Sequence, residues 1–498
     1  MTATATTDPS PRADLGITDA LVVDDTGAVR SVDIYVRDGS VVSISDAGRG
    51  RVSARKVVHA AGGLTLPGFV NSHSHSYGPL CRHEGKNLPL EPWMMYGWAT
   101  TVGRTREEVR LTAQLQAVEA LLTGTTSMLD HLAGAIEDQE AALDAYEEIG
   151  IRALVAPMIA DIRLPETVGA APSLWPASSR AEDPALDQRS ARDLIDATVA
   201  LYDGWTSPSG RTGVMFGPSA PQRCSDEMMR EIADISRSRG IRVHTHLLET
   251  RVQAGITPPK GFGSWLELLD DQGLLSARLS AAHGVWVSPG GIELAAGRAA
   301  TFVHNPQSNL QLGSGVADLT EWRRQGLSVA LGTDGVNCGG SMDMVSSMRF
   351  ATVLHRPSRH DPSTWETPLS ALRLATAGAA ALGFGRGRLE VGEPADFSIF
   401  PTDTPAYASG EDPLATLVLS AWDHSARTVV VAGRVVVDDG RLTTIDETAL
   451  LASAREARAK LLARNSHLAE LARAQEPFLT ELTRAAKANR PIMPFTGV

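Results

Sequence analysis

The chain has 498 residues, 43% of them hydrophobic and 21% charged, and a formal net charge of −12. This is an ordinary globular composition, and its acidic balance argues against nucleic acid or an anionic membrane as the main partner. No apolar run approaches the roughly 18 residues needed to cross a bilayer. The residues before Gly16 lack the apolar core of a secretory signal. Cys81, Cys224 and Cys338 are widely spaced with no CxxC pair, which fits a reducing compartment and makes the cytoplasm the expected location.

In chain order, residues 18–60 alternate apolar and polar side chains between turn signals at 24–27 and 38–39, the pattern of paired strands. The same pattern returns at residues 396–442. The two flanks predict one small β-sandwich built from both ends of the core, over residues 14–66 and 385–445. Between them, strand-like runs at 65–71, 125–130, 151–159, 212–217, 241–247, 279–284, 300–304 and 328–333 alternate with helix-length segments. The clearest helices fall at 104–122, 225–239 and 341–355. Eight such alternations predict an α/β chain with a closed TIM (β/α)₈ barrel over residues 67–384. The stretch 163–190, rich in Pro, Ala and Ser around Trp175, reads as a lid or a plain surface excursion. Residues 446–498 predict a helical extension that is solvated or contacts another subunit, so a homo-oligomer is expected.

Five separated pieces carry chemistry: His73-Ser74-His75, His246 with Glu249, His283, His304 with Asn309, and Thr333-Asp334-Gly335. Each ends a strand-like run, and in a (β/α)₈ barrel the carboxyl ends of the strands hold the active site. Histidines at i and i+2 of a strand share a face, so His73 and His75 can reach one ion. His246 and Asp334 complete four protein ligands with room for a water, a hydrolytic arrangement and not a structural one. Asp334 at the end of the eighth strand needs a charged partner if buried, and a metal supplies one. Glu249, three residues past His246, passes the metal and faces a substrate. His283 is placed to hydrogen-bond the attacking water. His304 and Asn309 are candidate substrate contacts. His244 shares a strand face with His246 and is a candidate support. His131 and His83 read as pocket-wall residues. Trp93, with Met94, Met95 and Trp98, forms either a wall for a flat ring or simple packing over the barrel mouth. No lysine occurs between Lys86 and Lys260, which excludes a lysine-bridged pair of metals and leaves one divalent ion, Zn²⁺ or Fe²⁺.

These segments resemble the amidohydrolase superfamily, in the branch of cytosine deaminase, adenosylhomocysteine deaminase, guanine deaminase and the triazine hydrolases. The text that carries the resemblance is PGFVNSHSH, LPLEPWM, GTTSMLD, HTHLLE, HNPQSNLQLGSG, GTDG and LEVGEPADF, spread over residues 14–445. The resemblance implies a TIM barrel with a β-sandwich and one divalent ion. It also implies His73, His75, His246 and Asp334 as ligands, with Glu249 and His283 catalytic. Four positions depart from the adenosylhomocysteine deaminase pattern: Asn87 for an acid, Ser219 for a histidine, Gln311 for a lysine, and Cys338-Gly339-Gly340 for Ser-Asn-Asn. Those departures remove polar contacts to a nucleoside and argue against a ribose-bearing substrate.

The expected chemistry is hydrolytic substitution at an sp² ring carbon. Asp334 takes a proton from the water, His283 orients it, and Glu249 protonates a ring nitrogen. An amidine needs that proton whereas chloride leaves without one, so deamination of a small nitrogen heterocycle is the leading function. Opening of a cyclic amide, or removal of chloride or an alkylamine from a triazine-like ring, is the alternative at the same site. A non-catalytic binding protein would be expected to lose ligands, and none of the candidates is missing.

Overall fold

Alternation in the first sixty residues becomes a sheet because the two faces of each strand meet different environments. Strands β1 (Ala13–Val23), β2 (Val29–Arg37), β3 (Ser40–Asp46), β4 (Ala54–His59) and β5 (Leu64–Pro67) form a nine-stranded sheet with four strands from late in the chain. The computed structural model describes residues 12–49, 53–167, 189–359 and 361–488. The late strands are β15 (Phe397–Phe400), β16 (Thr428–Val431), β17 (Arg434–Asp438) and β18 (Arg441–Leu442). The join between the chain ends is the antiparallel pairing of β15 with β5, in the register Phe397 to Pro67 and Ile399 to Thr65. Ile17, Ile34, Val36, Phe397, Ile399 and Val430 fill this unit's own core. Their neighbours Phe400, Val429 and Val431 belong to the larger core of the barrel, as period-two alternation requires.

The barrel strands are β6 (Phe69–Ser74), β7 (Thr125–Leu132), β8 (Arg152–Ile159), the short pair β9 (Thr212–Val214) and β10 (Gly217–Pro218), β11 (Val243–Leu247), β12 (Leu279–His283), β13 (Thr301–His304) and β14 (Ser328–Leu331). All neighbouring pairs within the two barrel sheets are parallel. One seam between the sheets is bridged by Phe216 and Val243. At the other, the Asp334 amide donates to the His73 carbonyl at 2.9 Å. Gly332 permits that approach, since a Cβ there would lie 2.4 Å from Asn305 Oδ1 and 3.0 Å from His73 Cβ. The run read as one first strand, 65–71, is two elements: Leu64–Pro67 pairs in the small sheet, and the barrel strand begins at Phe69. Gly68 separates them and donates its amide to the Asp396 carbonyl.

Helix ends follow local signals. The helix Arg106–Leu122 opens on a capping box between Thr105 and Glu108. The helix Asp226–Arg239 is capped by Ser225 and stopped by left-handed Gly240. Each side-chain cap is worth about 1 kcal/mol. The third expected helix is shorter than its pattern, Met344–Val353, because Asp343 caps it. Of the stretch 163–190, residues 168–188, including Trp175, lie outside the described residues. The C-terminal extension is two helices, Glu447–Arg464 and Ser466–Ala488. The second packs along the helix Leu90–Thr101 at the barrel mouth. No helix among the described residues is long and apolar enough to cross a membrane.

Candidate active site

Strand β6 turns His73 and His75 to one side, while Ser74 between them points away and donates to the Leu129 carbonyl at 2.7 Å. Strand β11 brings His246 to the same point, and the end of β14 brings Asp334. The ring nitrogens of His73, His75 and His246 lie within 4.8 Å of one another. Asp334 Oδ1 is 3.5 Å from His73 Nε2 and 3.2 Å from His75 Nε2. His75 Nδ1 is 2.6 Å from the His131 carbonyl and His246 Nδ1 is 2.7 Å from the Ser219 carbonyl. A carbonyl only accepts, so both Nδ1 atoms carry the proton and, in the neutral ring, both Nε2 atoms present a lone pair. Those two Nε2 atoms face each other at 3.3 Å. His73 follows the same plan through His244, whose Nε2 is 2.8 Å from His73 Nδ1 and whose Nδ1 is 2.7 Å from Ser280 Oγ. His73 Nε2 is buried without a hydrogen-bond partner. Three inward ring nitrogens and one buried carboxylate fit a divalent cation.

Burial pushes the His73 imidazole well below its ordinary pKa, and brings His246 down to about 3. Both rings are therefore neutral ligands at neutral pH. Burial pushes the Asp334 carboxyl up, but the neighbouring His73 and His75 outweigh it and hold it well below the carboxylate range. Glu249 behaves in the opposite way: burial raises it to about 7, opposed by His283 and reinforced by Asp334. His283 Nε2 stands between the two carboxyls, 3.7 Å from Glu249 Oε2 and 3.8 Å from Asp334 Oδ2. Its Nδ1 is 2.9 Å from Asn309 Oδ1. Leu248, His283 and Asp334 all take the left-handed backbone conformation, with φ of 44°, 74° and 65°. Such residues cost about 1–3 kcal/mol each and persist where the surroundings over-determine them. Here His283 and Asp334 reach the cavity from two strand ends, and Leu248 directly precedes Glu249, which also lines it.

That cavity measures about 350 Å³ and is lined by His75, His246, Glu249, His283 and Asp334 at its floor. Leu90, Trp93, Met94 and Trp98 form much of its wall, with Tyr77, Glu91, Gln222 and Gln253 among the polar side chains. Trp93 thus stands where a flat ring would meet it. Four other residues lie elsewhere than expected. His83 is exposed, on a loop where it adopts φ 68°, and does not line the cavity. The His304 ring turns into the layer between strands and helices, with centroids 5.9 Å from Trp322 and 6.2 Å from His355. Asn309 sits behind His283 and holds it, instead of facing the cavity. His131, read as pocket wall, is fully buried behind the floor, where its Nε2 meets the Gly217 carbonyl at 3.0 Å.

Several supporting residues escaped the sequence reading. Asn71 clamps the turn before Asp334: its Nδ2 donates to Thr333 Oγ1 at 2.7 Å and its Oδ1 accepts from the Thr333 amide at 3.1 Å. Both residues lie within motifs already singled out, so their place beside ligands was the available signal. Ser314, whose hydroxyl donates to Glu249 Oε1 at 3.1 Å, and Glu91 also lie within quoted motifs, but no spacing rule ties either of them to Glu249.

The amidohydrolase family model matches residues 64–436. The 5'-deoxyadenosine deaminase of Methanosarcina mazei is 30% identical over 457 residues, 91% of this chain and 99% of the relative. A structure of an adenosine deaminase from Xanthomonas campestris with bound zinc superposes with a TM-score of 0.80 at 26% identity, covering 91% of this chain and all of that one. An atrazine chlorohydrolase from Arthrobacter aurescens shares the fold, with a TM-score of 0.77 at 24% identity over 89% of this chain and 100% of that chain. With the motifs, the barrel and the His/Asp cluster in one chain, this protein belongs to the amidohydrolase family.

Proposed function

We propose that the protein is an aminohydrolase that replaces the exocyclic amino group of a nitrogen heterocycle by oxygen and releases ammonia. The observation that carries this reading is Glu249, a buried carboxyl outside the ligand set whose pKa is raised to about 7, beside His283 in the cavity. Such a group holds a proton near neutrality and can deliver it to a ring nitrogen. General acid help of this kind contributes about 10²–10⁴-fold. His73, His75, His246 and Asp334 would hold one divalent ion, and three imidazoles with a carboxylate suit zinc. When bound, the ion supplies Lewis acidity that lowers the pKa of a water from about 16 towards about 7.

The protein's own groups divide the remaining work. Asp334, kept ionised by its imidazole neighbours, accepts a proton from the attacking water. Asn309 fixes the His283 ring, which leaves Nε2 free to orient that water towards the ring carbon. Glu249 protonates the adjacent ring nitrogen. The carbon–oxygen bond then forms, the proton held by Asp334 passes to the amino group, the carbon–nitrogen bond breaks to release ammonia, and the remaining hydroxyl proton returns to Glu249 as the carbonyl forms.

The apolar wall and the relatives named for 5'-deoxyadenosine and adenosine support a purine nucleoside with an apolar 5' end as the first substrate to try. The departures at Asn87, Ser219, Gln311 and Cys338 argue against contacts to a ribose, so the free base belongs in the same trial. The deciding experiment is ammonia release by zinc-loaded protein across 5'-deoxyadenosine, adenosine, adenine, and amino-substituted pterins, pyrimidines and triazines. Turnover that vanishes in Glu249→Gln establishes the reading. Silence across the panel with one equivalent of metal bound overturns it in favour of amide, chloride or alkylamine hydrolysis. Cytoplasmic location is supported by three free, buried cysteines. A homo-oligomer is supported by the largely exposed helix Glu447–Arg464, and sedimentation would test it.

A further inference from the structure

A third carboxyl group in the cavity, beside Glu249 and Asp334, is not used by the chemistry above. Glu91 lies in the first turn of the wall helix Leu90–Thr101 and is only 2% exposed. Its Oε1 accepts from Thr250 Oγ1 at 2.5 Å, and its Oε2 lies 3.1 Å from Thr483 Oγ1, whose one proton it shares with the Leu479 carbonyl at 2.9 Å. Both hydroxyls are buried. Thr250 directly follows Glu249 and caps the short helix Arg251–Gly255 by accepting from the Gln253 amide. Gln253 in turn accepts from the Glu249 amide at 2.7 Å. Thr483 belongs to the C-terminal helix Ser466–Ala488, which holds the wall helix at a second point where Tyr96 donates to Glu476 at 2.5 Å. Met95, Val252 and Leu479 pack together in the same contact. One carboxylate therefore links three separate parts of the chain: the wall helix, the turn carrying Glu249, and a helix nearly 400 positions later.

We propose that Glu91 is a positioning residue for Glu249, and that through Thr483 it makes the C-terminal helix a working part of the active site. A hydrogen-bonded carboxylate has a fixed direction, whereas apolar packing alone lets the turn slide. Removing either hydroxyl contact leaves a buried oxygen without a partner, which costs more than the bond contributes. The turn after β11, which carries Glu249, is the part expected to relax. The wall, held also by Tyr96 and Met95, is expected to stay.

The proposal rests on the aminohydrolase reading only for its kinetic arm. Thr483→Val removes the hydroxyl at nearly constant volume, and Thr483→Ser restores it. With zinc-loaded protein and the best substrate of the panel, Thr483→Val is expected to lower kcat about fivefold and Glu91→Gln about tenfold. KM should stay within twofold, metal content should remain one equivalent, and Thr483→Ser should recover the parent kcat. Independently of turnover, amide hydrogen exchange over residues 248–256 should accelerate at least fivefold in Thr483→Val, with the strands β6 and β14 unchanged. An unchanged exchange rate in that segment overturns the coupling whatever the substrate is. A rise in KM alone in Glu91→Gln also overturns it, and makes Glu91 a substrate contact. Accelerated exchange in a protein whose parent form turns over nothing on the panel upholds the coupling while the aminohydrolase reading fails.

Discussion

At the floor of the cavity, His73, His75, His246 and His283 each have one ring nitrogen tied to a backbone carbonyl or to a second side chain and the other aimed inward. The wall offers Leu90, Trp93, Met94 and Trp98, which hold their places by packing. The two regions answer different demands. A metal site needs ligand directions fixed within tenths of an ångström, and only hydrogen bonds to the far ring nitrogens impose that. A wall against a flat heterocycle needs area and shape, which large apolar side chains provide without fixed direction. The reacting groups are therefore set at the floor and the apolar contacts to substrate at the wall, so substitutions of floor groups and of the wall's apolar side chains should separate kcat from KM.

The largest effect is expected from His73→Ala, which removes the ligand with no other use for its Nε2. Tightly bound metal should be lost, and turnover should fall beyond detection; elemental analysis after gel filtration measures the first. A full equivalent of bound metal in this variant would break the assignment of the floor. Glu249→Gln comes next, with metal retained and kcat lowered by about 10²–10⁴-fold. The same residue sets the pH dependence. Its carboxyl must hold a proton to act, and burial raises its pKa to about 7. Activity on an amino-heterocycle should therefore decline as pH rises through that value. A divalent cation nearby favours the carboxylate, so in the loaded enzyme the limb lies no higher than about 7. An activity that climbs steadily from pH 6 to 9 would exclude Glu249 as the acid.

A smaller effect belongs to His244→Phe, which keeps a ring in place but removes the acceptor for His73 Nδ1–H. Loss of such a partner typically costs 10–100-fold in metal affinity or activity. Competition with a chelator should show the affinity falling while KM holds. If the metal is retained as tightly as in the parent, His73 is oriented by its strand alone and the floor is less dependent on hydrogen bonding than its geometry indicates.

The floor was the more legible region. Two histidines at i and i+2, a third at a strand end and an aspartate after the eighth strand obey the period-two rule and the strand-end rule of a barrel, and the structure brings them together. Where reading failed, the side-chain direction was not set by strand parity. His304 stands at the end of β13 yet packs against Trp322 outside the strands. Asn309 lies on the short helix Pro306–Gln311, where the spacing from His283 says nothing of contact. His83 lies on a loop, and no periodicity governs it. The first strand was misplaced by a few residues because Leu64–Pro67 and Phe69–Ser74 are both apolar and only Gly68 divides them. Glu91, on the wall, acquires its partners from residues 159 and 392 positions away, a relation invisible to any local pattern.

The sharpest use of the contrast is a pair of substitutions in the segment that follows β6. Trp93→Ala removes a buried ring from the wall and touches no group that reacts, so it should weaken substrate and transition state alike. That is the signature of uniform binding: KM rises while kcat stays. An aromatic contact is worth about 0.5–1.5 kcal/mol beyond its area, so a rise in KM of about tenfold is expected, measured by steady-state ammonia release. His83→Ala, ten residues earlier and exposed, should leave kcat and KM within about twofold, the range usual for a surface position. If Trp93→Ala lowers kcat while His83→Ala does not, the wall helix is not a passive surface and its position is transmitted to Glu249. Thr483→Val should then reproduce the loss, because Glu91 is the polar link between that helix and the turn carrying Glu249.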